Sequence, residues 1–261
     1  MPRLDLFDLE LNLLKTIDLQ APDRILPTAF TVTDTSIVVC DHAKGLVAVF
    51  DRTGRYVDSF STLPDGSAHL SPMSLTAYRG VAYTADVGQK RVLAISLNHA
   101  PGVTERGELI LAIPGQESRP LGFPSAVMVT DDGRLLIGDA GAGRIRVFTC
   151  DGRPVYDFDQ VPGLGRMAPQ AFAMDGLPDP GMQDDDSFDP SGIRAQGRYH
   201  VADGLNGRIH LFNPLGAYVG SYPDGDPLVG PSGLAIHRES GRVFVAEPTQ
   251  SRLLVYRLIG E

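Results

Sequence analysis

A fifteen-residue phrase recurs along this chain. RIRVFTCDGRPVYDF at 144–158 returns as RIHLFNPLGAYVGSY at 208–222 and, more loosely, as RLDLFDLELNLLKTI at 3–17. Each copy alternates apolar and polar residues, the pattern of a half-buried β-strand. A glycine four positions after the aromatic residue, as at Gly152 and Gly216, allows the positive φ of a tight hairpin. Recurrence at this spacing predicts a chain built from similar supersecondary units.

A second recurring half precedes the phrase. A short apolar strand, itself preceded by Pro-x-x-apolar, ends on an acidic residue five positions before the arginine that opens the phrase. The acids are Asp41, Asp86, Asp139, Asp203 and Glu247, and the arginines that follow four of them are Arg91, Arg144, Arg208 and Arg252. The two halves together predict four antiparallel strands joined by tight turns. Four-stranded units repeated in this way are the blades of an all-β β-propeller.

The order Pro-x-Gly-apolar, then apolar-Val-Ala-acid, then Arg-apolar-x-apolar-aromatic resembles the NHL repeat over nearly the whole chain. A clear copy reads PSGLAI, VFVAE and RLLVY between residues 231 and 256. The resemblance implies a propeller of NHL-like blades, usually six. This chain holds five inner halves and six outer halves, which favours five blades, with six possible. We expect residues 1–261 to form one domain, closed by pairing of the N-terminal hairpin (3–18) with the C-terminal blade.

Charge and composition exclude several functional classes. The net charge is −9 with only three lysines, which disfavours a nucleic-acid partner. No apolar run reaches the length of a membrane span, and the first residues lack a signal-peptide pattern. Cys40 and Cys150 lack metal or redox spacing, which is typical of a reducing compartment. The sequence therefore predicts a cytoplasmic protein without membrane insertion.

The repeated acid and arginine could be mistaken for catalytic groups. A catalytic site is asymmetric, whereas a residue required in every blade serves the blade. We expect each acid to accept backbone N–H groups in its loop or to pair with its arginine. The sequence accordingly assigns no catalytic residue, no metal ligand and no cofactor.

An enzymatic alternative comes from the resemblance. NHL-like propellers include metal-dependent amidating lyases, and calcium-bound lactonases are related to them. Here the inner strands open with small residues such as Ser232-Gly233, which are poor calcium ligands. The alternative is a divergent Ca- or Zn-dependent hydrolase or lyase at the channel mouth. Its site would be built from His42, His69, Asp175 and Asp184.

The strongest irregularity is a predicted insertion at 161–190, which carries six aspartates and one arginine. Apolar residues interleaved with acids suggest a segment that docks on another surface, with methionine adapting its shape. The alternatives are a solvated loop or one folded over the channel mouth. The predicted partner-binding residues are Met167, Phe172, Met174, Leu177, Met182, Asp184, Asp185, Asp186 and Phe188. The favoured function is a non-enzymatic interaction scaffold or accessory subunit of a larger protein complex. Binding is expected through the insertion and the loop face, the side that carries the loops joining second to third strands, where the insertion is also predicted to lie.

Overall fold

The computed structural model describes residues 2–61, 70–97, 109–113, 120–176 and 197–258. The chain divides into two compact units, Met1–Ile113 and Pro114–Glu261, which are described separately. Regular structure in the described ranges is almost entirely β, apart from one 3₁₀ turn at Pro248–Gln250. No helix that could span a membrane occurs in these ranges.

The first unit contains a hairpin and two four-stranded antiparallel sheets. The hairpin strands are β1 (Arg3–Phe7) and β2 (Leu13–Asp18). Blade 1 consists of β3 (Ala29–Val32), β4 (Ser36–Asp41), β5 (Leu46–Asp51) and β6 (Tyr56–Phe60). Blade 2 consists of β7 (Pro72–Tyr78), β8 (Val81–Asp86), β9 (Arg91–Ser96) and β10 (Leu109–Ile113).

The second unit contains three more antiparallel sheets. Blade 3 consists of β11 (Pro124–Val129), β12 (Arg134–Asp139), β13 (Arg144–Thr149) and β14 (Pro154–Phe158). Blade 4 consists of β15 (Pro169–Met174), β16 (Tyr199–Asp203), β17 (Arg208–Phe212) and β18 (Tyr218–Tyr222). Blade 5 consists of β19 (Gly233–His237), β20 (Arg242–Glu247) and β21 (Arg252–Arg257).

The predicted fold class is confirmed: the protein is an all-β propeller with five blades, each paired antiparallel in chain order. The N-terminal hairpin is a sheet of its own, and its Leu4 and Ile17 pack against a core of blade 1 that includes Phe50. Pairing of this hairpin with the C-terminal blade would join the two units and stays a prediction.

Apolar packing between neighbouring blades forms the core of the second unit. Ile145 and Val147 of blade 3 lie in one buried cluster with Tyr199 and Phe212 of blade 4. The ring of Phe158 lies 4.9 Å from that of Phe212, centroid to centroid. Period-two alternation in the strands places one set of apolar side chains on each side of a sheet, so blade 4 packs against blade 3 on one side and against blade 5 on the other.

The bounds of the predicted insertion are wrong. Residues 169–174, which fall inside the predicted 161–190 segment, form β15, the first strand of blade 4. Met167 and Phe172 are only 1% and 9% exposed, and Met174 packs against the same buried cluster. These three residues are core residues, so they cannot form the apolar face of a docking loop. The chain leaves blade 4 after Met174 and returns at Tyr199.

The predicted face of the insertion is also wrong. An insertion between β15 and β16 occupies a first-to-second-strand turn, which lies opposite the loops that join second to third strands. Contacts among turns of the second unit confirm this. Arg238, in the β19–β20 turn, donates to the carbonyl of Met174 at 3.2 Å and pairs with Asp131 in the β11–β12 turn. We call this side of the second unit its turn face.

Replacement of Phe172 by Ala should lower the free energy of unfolding by about 3–5 kcal/mol, because it leaves a cavity between blades 3 and 4. Urea denaturation measures the change. Leu205→Ala is the matched control, since Leu205 is 63% exposed and should change stability by less than about 0.5 kcal/mol. A similar small effect of Phe172→Ala would show that β15 is not part of the blade.

Candidate functional site

The acids at the ends of the second strands hold backbone loops. All five are fully buried. Asp139 accepts hydrogen bonds from the N–H groups of Gly122, Phe123 and Ala142 at 2.9–3.0 Å. Asp41 accepts from the N–H of Leu26 at 2.8 Å. These carboxylates fix the segment that enters each blade, so they are already occupied by structural bonds.

The arginines of the repeat behave less uniformly than the acids. Arg91 pairs with Asp86 at 3.1 Å, and Arg252 pairs with Glu247. Arg144 instead lies 3.6 Å from Asp157. In the described ranges, neither Asp139 with Arg144 nor Asp203 with Arg208 forms an ion pair, and Nη1 of Arg208 is buried without a hydrogen-bond partner. The repeated arginine therefore occupies the same position in each of these blades but does not make the same contact in all of them.

Asp203 differs from the other blade acids of the described ranges because its side-chain partners are a histidine and an asparagine. Its carboxylate lies 3.1 Å from Nε2 of His210 and accepts from the N–H of Ala168 at 3.0 Å and from Nδ2 of Asn206 at 2.6 Å. Burial raises the pKa of Asp203, but the hydrogen bonds from His210 and Asn206 outweigh it, so the pKa lies below its ordinary value.

A second aspartate–histidine pair lies at the opposite end of β16, on the turn face. Asp175 directly follows β15, and His200 lies in β16. Both side chains are fully buried, with Nε2 of His200 3.2 Å from Oδ2 of Asp175. Arg198 donates its N–H to Oδ1 and its Nε–H to Oδ2, both at 2.7 Å. We call Asp175, Gly176, Gly197 and Arg198 the neck, because the segment 177–196 begins and ends there.

From the neck, a series of polar side-chain contacts extends between blades 4 and 5. The hydroxyl of Tyr222 lies 2.9 Å from Nδ1 of His200, and its ring lies 5.4 Å from that of Tyr256. A carboxylate only accepts hydrogen bonds, so Nε2 of His200 donates to Asp175, which leaves Nδ1 for the hydroxyl of Tyr222. Burial raises the pKa of Tyr222, so its hydroxyl stays protonated and can donate.

The residues of the enzymatic alternative do not provide a visible metal centre. His42 is exposed in the turn after β4, in the first unit, whereas Asp175 belongs to the second. His69 and Asp184 lie outside the described residues. The Asp175 carboxylate already accepts from Arg198 and His200, so it is not a free ligand. No group of three metal-ligating side chains occurs in the described part of the chain.

Two further features are a buried cysteine and a polar cleft. Burial raises the pKa of the Cys40 thiol to about 12, so this cysteine is not a nucleophile. A polar cleft of about 250 Å³ lies beside Arg166 in the second unit, lined also by Gly143 and Gln160. Nη2 of Arg166 donates to the carbonyls of Ala140 and Gly141 at 2.6 and 2.7 Å. This guanidinium therefore stabilises the loop that follows β12.

The remaining predicted partner-binding residues are not placed by the structure. Leu177, Met182, Asp184, Asp185, Asp186 and Phe188 lie outside the described residues. Sequence reasoning missed Arg198 and His200, which share Asp175, and His210, which contacts Asp203. A usable signal existed, because a histidine interrupts the apolar strands YHVAD and RIHLF. A buried polar side chain in a strand requires a partner, and each of these histidines has an aspartate.

Acid should destabilise the protein through Asp175. Burial raises its pKa, but hydrogen bonds from His200 and Arg198 lower it overall, from 3.8 to about 2. The unfolded state therefore binds this proton more readily, so the contribution is present above about pH 4 and lost as the pH falls towards 2. It amounts to about 2 kcal/mol. Urea denaturation between pH 5 and pH 2 should show a shallower pH dependence for Asp175→Asn than for the wild type; equal slopes would contradict this.

No protein-family model matches the chain, and no curated protein matches it. The NHL assignment therefore stays a resemblance. Solved structures do match. A streptogramin B lyase is 16% identical, with a TM-score of 0.60 over 93% of this chain and 72% of that chain.

Two other solved structures show the same likeness. A catalytically inactive virginiamycin B lyase from Staphylococcus aureus, solved with quinupristin, is 13% identical, with a TM-score of 0.55 over 90% of this chain and 71% of that chain. A protein of unknown function from Bacteroides caccae is 12% identical, with a TM-score of 0.59 over 93% and 78%. At these identities the likeness shows the β-propeller fold alone.

Proposed function

We propose that this protein is a non-enzymatic interaction scaffold or accessory subunit that binds another protein through residues 177–196, which we call the insertion. The observation that carries the proposal is the neck. Asp175, whose side chain is fully buried, lies in one flank of an insertion that the blade itself does not need and accepts two hydrogen bonds from Arg198 in the other flank. The other first-to-second-strand turns of the second unit span only residues 130–133 and 238–241.

The composition of the insertion favours a protein partner. It contains five aspartates and one arginine, with Leu177, Met182 and Phe188 between them. Acidic groups interleaved with large apolar side chains suit a partner with a basic rim and an apolar pocket. The blade acids of the described ranges are occupied by loop bonds, so they are not the groups that a partner would recognise.

Replacing apolar residues of the insertion with aspartate should abolish partner binding. The partner is first isolated with the tagged protein from its own host and identified by native mass spectrometry. The double variant Met182→Asp/Phe188→Asp should then fail to bind the purified partner, because buried apolar anchors carry most interface energy. The melting temperature should stay unchanged. Wild-type affinity in this variant, or in a chain lacking residues 177–196, would refute the proposal.

Charge should contribute through the three consecutive acids. The variant Asp184→Asn/Asp185→Asn/Asp186→Asn should weaken binding by roughly 10-fold, since an exposed charge pair contributes about 0.2–1 kcal/mol. The wild-type affinity should fall with added salt more steeply than that of the variant. Asp224→Asn/Asp226→Asn is the matched control, because both residues are exposed on the face opposite the insertion. Equal effects of the two variants would point to net charge rather than to the insertion.

A lyase activity is the second candidate, favoured by the likeness in fold to streptogramin B and virginiamycin B lyases. It is tested by incubating the protein with quinupristin, with and without Ca²⁺ or Zn²⁺, and following the compound by mass spectrometry. The scaffold proposal expects no conversion and no rise in melting temperature on adding metal. Metal-dependent conversion would replace the scaffold proposal with the enzymatic one.

A further inference from the structure

The two ends of the insertion are bonded to each other, not only to the blade. The N–H of Asp175 donates to the carbonyl of Arg198 at 3.3 Å, and the N–H of Arg198 donates to Asp175 Oδ1 at 2.7 Å. Gly176 and Gly197 lie so close that a Cβ on Gly197 would overlap the amide nitrogen of Gly176. Gly197 has φ of +92° and Gly176 of +70°, backbone conformations that favour glycine. The neck is thus a closely paired stem.

The Asp175 side chain joins this stem to the interior. Its Oδ2 accepts from Arg198 Nε and from His200, and His200 is hydrogen bonded to Tyr222 of β18. Arg198 is 18% exposed in its side chain, whereas Asp175 and His200 are 0% exposed. Water therefore reaches the arginine but not the carboxylate. A charged hydrogen bond is stronger in such surroundings than in solvent.

Blade 4 carries an internal control for this arrangement. Asp203, at the other end of β16, is also fully buried, also contacts a histidine Nε2 and also accepts backbone N–H groups. Its bonds secure the opposite face, at Ala168, Leu205 and Asn206. The two aspartates therefore differ in which end of the same sheet they hold.

We propose that Asp175 is a latch for the insertion: its carboxylate keeps residues 175–176 and 197–198 paired, and its loss separates the stem while blade 4 stays folded. A segment with fixed, adjacent ends has fewer conformations to lose on binding than one with separated ends. Asp175 is thus a positioning residue for partner binding, and this last step alone rests on the proposed function.

Hydrogen–deuterium exchange tests the latch in the full chain without any partner. In Asp175→Asn, the amide of Arg198 should exchange about 10-fold faster or more, while those of Leu205 and Asn206 stay within about 2-fold of wild type. Asp203→Asn should show the reverse pattern. Trypsin should also cleave after Arg198 faster in Asp175→Asn only, because the next residue, Tyr199, is fully buried while the stem is closed.

Equal acceleration at both ends of β16 in Asp175→Asn would overturn the proposal, since it would indicate general destabilisation of blade 4. Unchanged exchange at Arg198 would overturn it as well. If Asp175→Asn does not fold, Arg198→Gln removes the same Nε bond from the partly exposed side and should accelerate exchange at Asp175 and Gly197 selectively.

Partner affinity separates the latch from the proposed function. With both correct, Asp175→Asn should weaken binding about 3–10-fold and Asp203→Asn should leave it unchanged. If deleting residues 177–196 leaves binding intact but exchange still distinguishes the two aspartates, the proposed function fails and the latch stands. If deletion abolishes binding while exchange does not distinguish them, the latch fails and the proposed function stands.

Discussion

The buried carboxylate at the end of each second strand is the constraint on which the blades depend. Removing an unpaired charge from water costs several kcal/mol, so the acid is stable there only when donors surround it. At Asp139 three backbone N–H groups meet this requirement. The same bonds satisfy loop N–H groups that no strand can pair, so one side chain fixes the entry to a blade and the turn beyond it.

This constraint explains why the repeated acids serve the blades, since each accepts backbone hydrogen bonds in its loop. A group that accepts two or three structural bonds cannot also take up a substrate or metal without releasing a loop. Functional differences must come from positions where the repeat is broken. Blade 4 breaks it twice, with His210 beside Asp203 and with the neck at Asp175. The buried bonds of the neck hold residues 175–176 and 197–198 together at the turn face of the second unit.

The sequence was sufficient for the blades because their pattern is local. Alternation of apolar residues, a glycine at the hairpin and an acid at the strand end each act within one four-stranded unit. It failed at the start of blade 4 because the Pro-x-x-apolar signature occurs twice, as Pro169 with Phe172 and as Pro190 with Ile193. The structure uses the first, which moves Met167, Phe172 and Met174 into the core and the insertion to the opposite face.

By itself, the sequence determined the all-β propeller and the places of the blade acids, because short-range patterning specifies strands and turns. It favoured five blades but left six possible. Only the tertiary structure decided which of two equivalent signatures begins blade 4, since that choice depends on which strand buries its aromatic or aliphatic side chain in the cluster that contains Leu136 of blade 3 and Val201 of blade 4. It also decided that Asp175, His200 and Tyr222 form one hydrogen-bonded network. These residues are far apart in sequence, and hydrogen bonding across neighbouring strands brings them together.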